Sequence, residues 1–313
     1  MSAKKMRIGW IGCGRMGTAM AKRLVLARND VTVTNRTRAK ADVLGELGAT
    51  VAEGPKDLAN CDVVFIMVSA NADLLEVTSG AQGVLSDPQQ APQIVVDCST
   101  VSTETSASVR EACAARGAAF LAAPVSGNPK VVAAGQLTLA VSGTREAFDV
   151  VHPYFDQLGK GVTYVGDDEV ARLVKICHNM LLGVVTQALA EIIVLAERGG
   201  VKRSDFLAFL NDSVMGSTFS RYKTPAFVNL DFTPTFTPVL LRKDFDLGMA
   251  AAKKMSVSMP VSALCTELVV SAIGAGHISE DFAVLLLEQA RSSGVTLESE
   301  GIEVDDGLSG GKQ

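Results

Sequence analysis

The chain has 313 residues, of which 48% are hydrophobic and 20% charged, with 28 Gly and 10 Pro. That balance excludes a disordered, collagen-like or low-complexity chain and gives enough length for about two domains. A net charge of −5 with no dense basic patch argues against nucleic acid or a membrane surface as partner.

The N-terminal apolar run at 6–11 meets Gly12 and Gly14 almost at once, so it is too short for a signal peptide or a membrane span. It reads as a first strand, followed by glycines and a helix over 15–27. A second strand at 31–34 leads into a helical stretch to about 47. The runs 62–68 and 94–97 are nearly all apolar, as parallel strands covered on both faces are. Further strands are expected at 118–124, 137–143 and 161–166. Such alternation predicts an N-terminal, doubly wound α/β domain over 1–165.

The pattern changes after Gly166. Residues 168–198 hold no Pro and one Gly, and predict one helix of about 31 residues, about 45 Å long. Its apolar residues lie on more than one face, which predicts burial all round, in a helical domain or at a subunit contact. More helices are expected at 204–213, 239–255, 260–274 and 279–293, giving an all-α domain over 166–297. The acidic tail 298–313 reads as solvated and disordered. The cysteines at 13, 61, 98, 113, 177 and 265 form no C-x-x-C pair and read as reduced thiols of a cytoplasmic protein.

Gly12-Cys13-Gly14-Arg15-Met16-Gly17 is a G-x-G-x-x-G between a strand and a helix. Gly12 permits the tight turn, Gly14 lets a pyrophosphate approach the backbone, and Gly17 allows close helix–strand packing. With a second strand at the right distance, the motif predicts a Rossmann-type dinucleotide site. An acid at the end of the second strand would favour NAD. Here Asn35-Arg36-Thr37-Arg38 stand there instead, and arginine suits a 2′-phosphate, so NADP is expected.

Three later segments carry candidate chemistry. Residues 97–100 end a strand where open α/β sheets bind ligands. Ser126, Gly127 and Asn128 form a turn that could hold a small carboxylate, or be an ordinary β-turn. Lys175 and Asn179 are four apart on the long helix and share a face. A lysine there is either a desolvated proton donor or a snorkelling surface group. His178 points elsewhere and reads as structural, and no metal or triad pattern involves His152 or His277.

Together these segments resemble the β-hydroxyacid dehydrogenase family, in order over about 6–290, through IGWIGCGRMGTAMAKRL, VVDCST, FLAAPVSGN, AAGQLTLAVSG, KICHN and FTPVLLRKDFDLG. The resemblance implies a dehydrogenase or semialdehyde reductase acting on a small molecule, while the long apolar helix predicts a homodimer or higher oligomer, with the catalytic cleft expected between the Rossmann-type and helical domains. The resemblance also implies that Val68, Ser69 and Thr100 line the nicotinamide half and that Lys243 contacts the cofactor. Ser126 and Gly127, with Asn128 beside them, would hold the substrate carboxylate, helped by Asn179. Lys175 would be the acid/base. The chain departs from the family pattern at Ala122, Asn128, Glu169 and Ala171. An imine reductase or reductive aminase is the alternative reading. A 6-phosphogluconate dehydrogenase lacks support, because Leu182 replaces its glutamate, and a non-catalytic sensor would have no use for Lys175.

Overall fold

A computed structural model of the chain describes residues 5–308. It divides into two compact units, Met1–Lys175 and Ile176–Gln313. The first is built on six parallel strands: β1 (Arg7–Ile11), β2 (Asp30–Thr34), β3 (Thr50–Val51), β4 (Val63–Ile66), β5 (Ile94–Asp97) and β6 (Ala119–Ala122), in the spatial order β3-β2-β1-β4-β5-β6. Beyond β6 come β7 (Val125–Ser126), β8 (Thr138–Gly143) and β9 (Gly161–Gly166). β8 runs antiparallel to both β6 and β7, and β9 runs parallel to β8. The helices of this unit are α1 (Arg15–Leu26), α2 (Arg38–Gly45), α3 (Asn71–Ser79), α4 (Thr103–Ala115), α5 (Pro129–Ala133) and α6 (Arg145–Leu158).

Period-two alternation explains how the apolar strands serve two cores. Ile8, Trp10, Val63 and Phe65 enter one cluster, while Ile11, Val64, Ile66 and Val95 enter the other. With both faces covered, the strand ends are left for function, and the β1–β4 switch point falls at the glycine motif.

The second unit is helical. It takes most of α7 (Val170–Arg198), then α8 (Arg203–Asp212), α9 (Thr218–Asn229), α10 (Pro238–Lys254), α11 (Pro260–Gly274) and α12 (Leu285–Ser292). The boundary lies inside α7 rather than at 165/166, because the first turns of α7 are tied to the sheet unit by residues described below. α9 was not foreseen. Pro225 interrupts its pattern, yet a capping box between Ser217 and Ser220 starts it and Ala226, Phe227 and Val228 bury its end.

Two expectations are qualified by the structure. Within a single chain α7 is not covered all round: Ile176, Met180, Ile193 and Val194 are buried, but Val174, Leu181, Ile192 and Leu195 are 41%, 61%, 48% and 68% exposed, which leaves those faces to the expected subunit contact. It is also, among the described residues, the one helix long and apolar enough to cross a membrane by length and composition. Its buried Arg172 and Asn179 instead have protein partners. Nor is 298–308 disordered. The buried Arg203 guanidinium donates to the carbonyls of Phe227, Val228 and Glu298, Ser204 N donates to Glu300 Oε1 at 3.2 Å, and Val304 packs on a core cluster. A buried arginine needs such acceptors, and the tail supplies one. The rest of that prediction, 309–313, lies outside the described residues.

Candidate active site

At the β1–α1 turn the three glycines do separate jobs. Gly12 has φ +98°, and a Cβ there would stand 2.2 Å from the Met67 carbonyl oxygen. At Gly17 a Cβ would stand 1.9 Å from the Gly12 oxygen, whereas at Gly14 it would meet nothing within 4 Å. The indole Nε1 of buried Trp10 donates to that Gly12 oxygen at 3.0 Å and holds the turn. α1 then starts with no side-chain cap and no acid in its first turn. Arg15 there is exposed, and Met16 packs partly on the core. Open space over Gly14, uncapped N–H groups and the positive end of the helix dipole fit a dinucleotide pyrophosphate.

A cavity of about 370 Å³ adjoins this turn. It brings together seven residues expected from the sequence: Gly12, Gly14, Asn35, Arg36, Thr37, Val68 and Ser69. Asn35 acts as a staple: its Oδ1 accepts from Cys13 N at 2.8 Å and its Nδ2 donates to the Thr37 carbonyl at 2.9 Å. The Arg36 side chain is 91% exposed and reaches Asp73 at 3.5 Å, while Arg38 is paired to Glu53. Lys40, in the first turn of α2, also lines the cavity and was overlooked; a further basic residue just after Asn35-Arg36-Thr37-Arg38 was the available signal.

Toward the reaction end, Val68 N donates to Ser99 Oγ at 2.9 Å, and Thr100 follows at the tip of the β5 loop. Ser126 closes the short β7, paired to Thr138 of β8. Gly127 has φ +146°, and a Cβ there would come within 2.9 Å of Val131. Asn128 has its oxygen committed as the cap of α5, accepting from Val131 N at 3.0 Å, so this departure from the family pattern has a local structural use.

Lys175 is half-buried, in the second turn of α7. The turn before it is anchored on all sides. Ser142 Oγ donates to the Asp168 carbonyl at 2.8 Å and accepts from Ala171 N at 3.1 Å. Glu169 is buried and accepts from Arg110 Nε at 2.8 Å. Arg172, 1% exposed, pairs with the fully buried Asp97 at 2.6 Å. These charged partners were missed in the sequence, although a lone arginine in an apolar helix asks for one.

In the helical unit, Asn179 is buried and its Nδ2 donates to Asp244 Oδ2 at 2.5 Å, while its Oδ1 lies 3.0 Å from His178 Nδ1. Lys243 Nζ stands 4.0 Å from Asp244 Oδ1. Asp244 was also missed; the acid beside Lys243 on α10 was its signal. Thiol chemistry has no place in the nucleotide site, since burial pushes the Cys13 thiol up to about 11. Among the described residues no group of His, Cys, Asp and Glu could hold a metal ion.

Two family profiles match the chain. The NAD-binding domain of 6-phosphogluconate dehydrogenase covers residues 7–166, and the NAD-binding region of NADP-dependent 3-hydroxyisobutyrate dehydrogenase covers 170–287. The chain belongs to the β-hydroxyacid dehydrogenase family. Glyoxylate/succinic semialdehyde reductase 1 of Arabidopsis thaliana is 33% identical over 282 residues, covering 90% of this chain and 97% of the relative. The crystal structure of a 3-hydroxyisobutyrate dehydrogenase from Salmonella typhimurium superposes with a TM-score of 0.79 at 25% identity, covering 90% and 99%. Psf3, in complex with NADP+ and 2-OPP, gives 0.79 at 26%, again over 90% and 99%. A reductive aminase from Aspergillus terreus gives only 0.59 at 23%, over 91% and 99%, a likeness of fold alone. Membership makes the chain an NAD(P)-dependent oxidoreductase of the β-hydroxyacid dehydrogenase type, with the imine reductases as more distant neighbours.

Proposed function

We propose that the protein is an NADP-linked reductase of small aldehyde acids, with glyoxylate and succinic semialdehyde as the substrate class to try first. The observation that carries the cofactor choice is the end of β2. Arg36 stands exposed beside the cavity, Lys40 of α2 lines it too, and the position where a ribose-binding acid would stand is Asn35, already used as a staple. Of the three acids that line the cavity, Glu53 and Asp73 are paired with Arg38 and Arg36, and Glu76 is the third.

When bound, the dinucleotide supplies or accepts the hydride. Val68, Ser69 and Thr100 would line its nicotinamide half, and Lys243 would contact it. The Ser126 hydroxyl and the Gly127 backbone hold the substrate carboxylate, and Asn179, oriented by Asp244, positions the substrate. Lys175 Nζ gives a proton to the substrate oxygen as negative charge develops there, and takes one back in the oxidative direction. Substrate class follows the Arabidopsis relative, whose name specifies those two aldehydes.

The apolar residues left exposed on α7 suit self-association as a homodimer or larger assembly. Five buried free thiols suit a reducing, cytoplasmic setting. A monomeric mass by light scattering at micromolar concentration removes the first of these, and cell fractionation tests the second. The reading as a whole is tested by following NADPH and NADH oxidation with glyoxylate, succinic semialdehyde, methylmalonate semialdehyde, tartronate semialdehyde and cyclic imines. Turnover of an aldehyde acid with NADPH over NADH is expected. Turnover of imines alone, or equal use of both cofactors, contradicts it.

A further inference from the structure

Among the described residues of the sheet unit outside the strands, Arg172 is the most deeply buried charge, and its guanidinium meets three acceptors on two chain segments. Nη2 donates to Asp97 Oδ2 at 2.6 Å, Nη1 to the Ser99 carbonyl at 2.6 Å, and Nε to Ser106 Oγ at 3.0 Å. Those acceptors sit at the end of β5, in the loop after it, and on α4. The network continues outward. Asp97 Oδ1 accepts from Ser99 N at 3.0 Å, and Ser99 Oγ accepts from Val68 N at 2.9 Å. One guanidinium therefore ties α7 to the two loops that carry Val68, Ser69 and Thr100. Arg172 is 1% exposed and Asp97 and Ser99 are 0% exposed, so water cannot substitute for any of these bonds.

A buried ion pair is weak evidence for stability, because desolvation offsets its attraction, and apolar residues of similar volume often serve as well. What this pair does fix is geometry: an arginine fork with three differently placed acceptors permits one position of its helix. Lys175 lies three residues further along that helix, on the neighbouring part of the same face.

We propose that Arg172 is a positioning residue for the reaction: it sets the register of α7 against the β4 and β5 loops and so holds the Lys175 amine in place for proton transfer. The proposal rests on Lys175 being the proton donor. A displacement of about 1 Å at such a group costs about 100-fold in rate. A brace that only stabilised the fold would leave the rate of the folded enzyme alone.

The test compares the wild type with Arg172→Lys, with the double variant Arg172→Met/Asp97→Asn, and with Lys175→Ala. Arg172→Lys keeps the charge and loses the fork. The double variant removes both charges, so no unpaired ion is left buried if the single change proves too damaging to fold. Readouts are kcat and KM with the aldehyde that turns over, NADPH affinity from nicotinamide fluorescence, and amide exchange of the peptide spanning 168–176. Both Arg172 variants are expected to lose about 10- to 100-fold in kcat with NADPH affinity kept within about threefold, and to exchange faster in that peptide. A kcat within about threefold of wild type in the double variant and in Arg172→Lys, beside a crippled Lys175→Ala, overturns the positioning role alone. Full kcat in Lys175→Ala overturns the proton-donor reading and this proposal with it.

Discussion

At the β1–α1 turn the chain shapes its site by leaving side chains out; at the first turns of α7 it does so by burying charged ones. Gly12, Gly14 and Gly17 open a turn onto which a phosphate can settle, and the hydrogen bonds that stabilise it come from the backbone, Trp10 and Asn35. The start of α7 is held by Arg172 on Asp97, Arg110 on Glu169, and Ser142 on the peptide groups of 168 and 171. The first device tolerates no added atom at Gly12 or Gly17. The second tolerates no missing partner. They should therefore fail differently when mutated, the one through overlap and the other through unpaired charge.

The largest effect is expected where overlap is severe. Gly17→Val places a Cβ against the Gly12 oxygen, 1.9 Å away, and no flexible side chain is there to yield. Overpacking of this kind costs about 1–3 kcal/mol or more, and NADPH affinity should fall by about 100-fold. Gly14→Ala is the control that sharpens the point: its Cβ meets no protein atom within 4 Å, so the fold should stand and only ligand approach should suffer. Equal melting temperatures and equal NADPH affinities for the two variants would remove the distinction between the glycines.

Next in size is the charge at the end of β2. Arg36→Asp should lower NADPH affinity selectively, by about 10- to 150-fold, the equivalent of a charged hydrogen bond of about 1.5–3 kcal/mol. NADH affinity should barely change. Parallel loss of both cofactors, read by fluorescence titration, would place Arg36 in the fold and not in cofactor choice.

These two regions were not equally readable in the sequence. A glycine motif declares itself by spacing, because each glycine answers to a local backbone demand. The parallel strands declare themselves by continuous apolar runs, and β9 was placed residue for residue. Arg172 and Asp97 lie 75 positions apart, and nothing in either segment alone says that they meet. Asp244 was hidden from Asn179 in the same way, 65 positions away. The tail misled for a related reason: five acids drew attention from Ile302 and Val304, and the need of buried Arg203 for acceptors appears only once the helices are packed.

A smaller, thermal effect follows from that last contact. Arg203→Met leaves the Phe227 and Val228 carbonyls and the Glu197 carboxylate, 3.1 Å away, without their donor. The Glu197 side chain is 29% exposed and water can reach it, so the main loss is that of buried carbonyls left without a donor, about 1–3 kcal/mol, which lowers the melting temperature by about 5 °C. Ending the chain at 297 should also lower it. No change on truncation would restore a loose, solvated tail.

The smallest effect is one of acidity. Burial alone would push the Asp281 carboxyl up, but Lys223 beside it and hydrogen bonds from Thr235 and Ala283 outweigh burial and hold it below the usual carboxylate range. A lowered folded pKa contributes stability that is complete above the unfolded value of about 3.9 and is lost as pH falls through the folded value. Melting temperatures of the wild type should therefore fall more steeply below pH about 4 than those of Asp281→Asn. Matching slopes would contradict this.

The central claim is that hydride transfer at these strand ends depends on the Lys175 amine. Steady-state reduction of glyoxylate or succinic semialdehyde by NADPH, measured side by side for the wild type, Lys175→Ala and Lys175→Arg, tests it most directly. Both variants should bind NADPH as the wild type does and lose about 10²- to 10⁴-fold in kcat, arginine failing to rescue because a guanidinium does not release its proton. A Lys175→Ala protein with near-native kcat and only a shifted melting temperature would contradict the account.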